Sequence, residues 1–148
     1  MFAVLIACLL VISVTADLKT DKIPNALTVT GLTAGLLCAL ERAGPPGLII
    51  VIRDAGIMFF ITFLLFRLRA LRGGDGKLLC ALAALLGIST GLKILVYSMG
   101  FAVLIGAGKI LWLELKKQRN RKELTRIHYS VPILLATVIC CWNLSQLP

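Results

Sequence analysis

Leu71-Arg72-Gly73-Gly74-Asp75-Gly76-Lys77-Leu78-Leu79 sets one carboxylate among glycines at the point where a basic loop runs into an apolar segment. An ionised side chain at or just inside a membrane boundary is expensive, which makes Asp75 a functional candidate by default. Flanking glycines remove side-chain bulk and let another backbone approach the carboxylate closely. A plain helix-to-helix connection accounts for Gly-Gly-Asp-Gly equally well. The stretch therefore acquires meaning only if the rest of the chain delivers a second group to it.

Working outward, the 148 residues are 59% hydrophobic, with a mean hydropathy of +0.95. That is the composition of an integral membrane protein. A spanning helix takes ~20 apolar residues in a hydrocarbon core ~30 Å thick, so the length accommodates about six helices on short loops. The expected fold is all-α, a polytopic bundle forming a single transmembrane domain over residues 1–148, with helices at about 2–16, 26–40, 48–66, 78–92, 94–115 and 128–147. The first apolar run has no basic residues ahead of it, so it reads as a retained helix and not as a secretory signal. Pro24 suits the first turn of the second helix, where its missing N–H costs nothing. Gly31/Gly35 and Gly87/Gly91 give small-xxx-small spacing on the second and fourth helices, which permits close packing within one bundle or between copies. Arg53 and Asp54 are adjacent on the third helix and point in different directions, so they need not pair.

The net charge of +9 does not indicate nucleic acid, because the basic residues alternate with apolar runs and form no continuous patch. Loops after the first, third and fifth helices hold twelve of the sixteen Lys and Arg residues. By the positive-inside rule those loops are cytoplasmic and both termini lie on the other side. Asp17 and Asp75 then fall on the same, cytoplasmic face, at the ends of helices one and four. The five cysteines all sit in apolar runs without Cys-x-x-Cys spacing, so they read as packing residues, and neither a metal site nor a cofactor is expected.

Two carboxylates brought together share a proton, since like charges at close range do not both ionise cheaply. One then serves as general base on a water and the other as general acid, with no covalent nucleophile. The single histidine, His128, has no convincing serine or cysteine partner in the loops and reads as an interfacial residue. Lys19 and Lys77 each follow a candidate acid by two positions and favour its ionised form; orientation signals or lipid contacts explain them equally well. The competing class is a non-enzymatic six-helix protein, a small transporter or assembly subunit, in which Asp54, Lys109 and the two acids line a polar path.

Asp17-Leu-Lys-Thr-Asp-Lys-Ile-Pro-Asn25, followed by Gly74-Asp75-Gly76-Lys77, resembles the motifs of the type IV prepilin peptidases and preflagellin peptidases, membrane aspartic proteases. The resemblance extends along nearly the whole chain, including Tyr129-Ser-Val-Pro132 near the last helix. It implies that Asp17 and Asp75 are the catalytic pair, supported by Lys19, Pro24 and Asn25 in the first motif and by Gly74 and Lys77 in the second. The implied substrate is a prepilin-like membrane protein that loses a basic leader at the cytoplasmic boundary of the inner membrane. Arg72 stands where the family usually has a glycine, and Asp21 adds a third acid near the first motif. The sequence corresponds to a short form without the cysteine-rich N-terminal extension, so peptidase activity is expected, and methylation of the product is left open. An inactive homologue kept as a scaffold is the remaining reading.

Overall fold

The computed structural model describes residues 2–20, 24–115 and 129–145, which form six helices: α1 (Phe2–Thr20), α2 (Asn25–Ala43), α3 (Pro45–Arg67), α4 (Gly73–Leu86), α5 (Ile88–Leu115) and α6 (Ser130–Ser145). The described residues contain no strand. Among them α2, α3 and residues Ile88–Leu111 of α5 are long and apolar enough to cross a membrane, and α6 contributes a shorter apolar stretch. The basic segment 116–126, His128 and Asp21 lie outside the described residues.

Helix α4 is the axis of the bundle, flanked by α2, α3 and α5, while α6 packs on α5 and α1. Its residues are apolar on every side after Lys77, and Leu78, Leu79 and Leu82 are fully buried. A helix apolar all round belongs in an interior. Small residues bring its neighbours in. A Cβ built on Gly31 would lie 2.8 Å from the Ala81 Cβ, and one on Gly35 would lie 2.9 Å from the Ala84 carbonyl oxygen. The Gly31/Gly35 pair is therefore spent inside one chain, on the α2–α4 contact.

The helix boundaries depart from the periodicity reading in ways that matter for the site. Helix α1 continues past residue 16 to Thr20, which puts Asp17 and Lys19 on its last turn. The segment expected as one helix over 78–92 is two elements. Helix α4 begins earlier, at Gly73, and stops at Gly87, whose φ of 82° is left-handed territory that a glycine enters freely. Gly87 and Gly91 thus do not share a helix. Gly91 lies on α5, where an added Cβ would come within 3.0 Å of the Ala83 Cβ.

The start of α5 is held by Asp54. Its Oδ2 accepts the Ile88 backbone N–H at 3.1 Å, and Arg53 donates to its Oδ1 through Nε and Nη2 at 3.0 and 2.9 Å. Arg53 and Asp54 do pair, an outcome that the helix directions left open, because the long arginine side chain curls back to its neighbour. A helix N-terminus leaves several N–H groups without intrahelical partners, and a carboxylate on another helix here satisfies one of them.

Candidate active site

The N-terminal turn of α4 is Gly73-Gly74-Asp75-Gly76, entered from Arg72. Arg72 has φ −82° and ψ 151°, an extended conformation open to any residue, so no glycine is required at this position. Gly76 lets α3 come close, since a Cβ there would meet the Thr62 Cβ at 3.2 Å. Together these choices press the first turn of α4 into the bundle and bury Asp75, which is 2% exposed.

Asp17 reaches the same place from the last turn of α1 and is 4% exposed. The two acids interact electrostatically. Burial is the main reason that the Asp75 carboxyl is pushed up from 3.8 to about 7, and the Asp17 charge adds to the shift; the Arg72 guanidinium and a backbone hydrogen bond at Arg72 oppose it. Asp75 lies outside the three long apolar helices, in the first turn of a helix whose N-terminal dipole favours negative charge. Desolvation prevails over that dipole, as is usual for a carboxyl taken out of water. The Asp75 Oδ2 is buried without a hydrogen-bond partner.

Asp17 is positioned from α6. Ser130 Oγ donates to Asp17 Oδ2 at 2.6 Å, a short charge-assisted contact. The preceding residue, Tyr129, exchanges a 3.3 Å hydrogen bond with Ser98 Oγ of α5. Its hydroxyl is shifted above its ordinary value chiefly by burial, with a further contribution from the Asp75 charge. Tyr129 and Ser130 therefore border the two acids although they follow the second motif by more than fifty residues. Their signal in the sequence was the Tyr-Ser-Val-Pro stretch, which marked the segment without singling out the serine.

The remaining motif residues divide. Lys77 Nζ donates to Asn25 Oδ1 at 2.8 Å, which ties the second motif on α4 to the first residue of α2. Pro24 precedes that residue as the N-cap of α2, with φ −60° and ψ 134°, and its carbonyl accepts the Leu27 N–H. Lys77 thus acts as a tether between motifs, a use distinct from the charge role its spacing suggested. Gly74 occupies the turn beside Asp75, half-buried, and Lys19 is exposed on the last turn of α1. Asp54 is not part of this cluster. It stands at the opposite end of α4, twelve residues from Asp75 as judged by its contact with Gly87, or about 18 Å at the rise of a helix.

A cleft of about 250 Å³ between α3 and α4 is lined by Phe59, Phe63 and Phe66 and by Gly73, Gly76 and Lys77 of the α4 turn that carries Asp75; neither acid lines it. Among the described residues no group of three or more His, Cys, Asp or Glu side chains converges as a metal site would require. The arrangement offers two buried, coupled carboxyls, one holding a proton near neutrality and the other held by a hydroxyl donor, next to an apolar cleft. Such a pair is equipped to activate a water and protonate a carbonyl.

No curated protein and no solved structure gives a significant match to the chain. The Type IV leader peptidase family does match, over residues 3–107, a span that contains Asp17, Pro24, Asn25, Asp75 and Lys77 and ends before Tyr129. With close to three quarters of its length matched, and with both motifs folded onto one buried site, the chain belongs to the Type IV leader peptidase family.

Proposed function

We propose that the protein is a membrane aspartic endopeptidase that removes the basic leader from prepilin-like proteins, with Asp17 and Asp75 as its catalytic residues. The observation that carries this reading is the electrostatic coupling of Asp17 and Asp75 in one buried site, given that they come from different helices and different motifs. Asp75, which keeps its proton to about pH 7, is the general acid. Asp17 is the general base. It takes a proton from water as the water oxygen adds to the scissile carbonyl carbon, while Asp75 passes its proton to the carbonyl oxygen. Collapse of the resulting diol breaks the C–N bond: the proton gathered by Asp17 leaves on the new amine, and one diol hydroxyl returns its proton to Asp75 as the C=O re-forms. The reaction is a hydrolysis and requires no cofactor.

The topology we propose has six membrane-crossing helices, both termini outside, and the acids facing the cytoplasm. It rests on the charge asymmetry of the loops. A site at the boundary suits a substrate whose leader stays in water while its apolar helix stays in lipid. The test is cleavage of a panel of prepilin-like substrates in reconstituted bilayers by the wild type and by Asp17→Asn, Asp75→Asn and Asp21→Asn. Cutting should survive only in the wild type and Asp21→Asn. A correctly folded wild type that cuts none of the panel would remove the peptidase reading.

A further inference from the structure

A second, larger cavity adjoins the cleft between α3 and α4, sharing Phe66, Arg72 and Gly73 with it, and reaches Tyr129. It has about 1060 Å³ and lies between the turn that follows α3 and the later part of α5. Its volume is at the upper end of the range for ligand pockets, ~300–1000 Å³. One wall is apolar and built on α5 from Ala102, Val103, Gly106 and Ile110; the other presents Arg67, Arg69 and Arg72. All three arginines are exposed. The long apolar helices α3 and Ile88–Leu111 both end here, so the cavity straddles the level at which an apolar slab gives way to a polar layer.

The turn that holds the arginines is specific. Ala70 N–H bonds to the Leu65 carbonyl and Arg69 N–H to the Phe66 carbonyl, both at 2.9 Å, which is the paired-bond ending of a helix. That ending requires a left-handed residue, normally glycine, and the residue here is Arg69 with φ 58°. A large side chain is held at a position where its backbone is penalised. The result is that three guanidiniums within six residues flank one cavity.

We propose that this cavity is a binding site for an anionic phospholipid, its phosphate held by Arg67, Arg69 and Arg72 and its acyl chains laid along the α5 wall. Guanidinium forks match phosphate oxygens in pairs, and the apolar wall matches hydrocarbon. A basic leader peptide is a poor occupant, because it carries the same sign of charge as the arginines. Arg72 also acts on Asp75, so the headgroup contacts a residue that is electrostatically linked to one of the two acids.

The test is binding of fluorescent phosphatidylglycerol, against fluorescent phosphatidylcholine, to the full-length protein in a neutral detergent. This readout does not depend on cleavage, so it can fail while the peptidase reading stands, and the reverse. The anionic probe should bind the wild type at least about tenfold tighter than the neutral one, and Arg67→Gln/Arg69→Gln should weaken it by about 25-fold, at about fivefold for each cation lost near an anionic headgroup. Arg67→Lys/Arg69→Lys should restore most of the loss, which a misfolded protein would not do, and Arg42→Gln/Lys93→Gln should bind as the wild type does. Equal affinity for the two probes, or equal loss in the Arg42/Lys93 variant, would overturn the proposal. Displacement by inorganic phosphate would reassign the site to a soluble anion. Displacement by an apolar peptide with an acidic end, with that peptide and not the lipid sensitive to Arg67→Gln/Arg69→Gln, would reassign it to a protein partner.

Discussion

Helix α4 has a buried carboxylate at each end, and the two have opposite characters. Asp54, 5% exposed, receives two hydrogen bonds from Arg53 and one from the Ile88 backbone, so both of its oxygens are occupied. Asp75, 2% exposed, has an oxygen with no partner and a second acid as neighbour. Burial is the same at both ends; what differs is whether the surroundings complete the group or leave it with unused capacity. A completed carboxylate fastens the fold. An incomplete one is available for chemistry, and its cost is carried by the packing around it.

The strongest way to break this comparison is to remove each acid in turn. Asp75→Asn should lower the cleavage rate at least about 100-fold, the lower end of what general acid–base groups supply, while the thermal unfolding midpoint stays or rises. Asp54→Ala should do the reverse, costing about 1–3 kcal/mol of stability through lost charge-assisted bonds, with cleavage per folded molecule unchanged. Equal loss of activity in the two variants would erase the distinction.

A pH profile sharpens it further. Because the Asp75 proton is held to about pH 7, cleavage should decline as pH rises through that value. Between 3.8 and about 7 the folded state binds more proton than the unfolded one, so stability falls as pH rises across this window. Asp75→Asn should abolish that slope, whereas Asp54→Asn should retain it. Cleavage that stays level well above neutrality would take the acid role away from Asp75.

Smaller effects follow from the partners. Ser130→Ala removes the donor to Asp17 and should cost about tenfold in cleavage, the lower end for a hydrogen bond to a charged group, and should move the pH profile, which a purely structural serine would not. Lys77→Met breaks the exposed contact with Asn25 and should cost no more than about 1 kcal/mol in stability, as surface polar contacts do. Calorimetry alongside the cleavage assay would separate the two.

The sequence made one end of α4 legible and hid the other. Asp75 stood out because glycines and a cation framed it in an otherwise apolar chain, and Asp17 because a proline-containing loop followed it. Asp54 sat in an apolar helix next to an arginine, where nothing local distinguishes a cap for a distant helix from a surface ion pair. Gly87 was equally obscure: apolar residues on both sides sustain the helical period, and only the tertiary fold shows that the chain turns there. Ser130 was hidden for another reason. Its contact with Asp17 joins the last helix to the first, and a pairing between chain ends leaves no trace in local pattern. The Lys77–Asn25 link was hidden likewise, since spacing suggested only a charge beside an acid.

The brevity of α4 has a further consequence. Fourteen residues make a rod of about 21 Å, against about 35 Å for the 23 residues of α3 and a hydrocarbon thickness of ~30 Å. At least one end of the rod is therefore countersunk below the rim of its neighbours. Under the proposed function and topology, with Asp75 at one tip, the depth of the two acids becomes a property shared between protein and bilayer, and hydrophobic mismatch becomes a variable of the cleavage. Acyl-chain length in the surrounding membrane should then change how far water has to descend to the acids, without any change in the acids themselves.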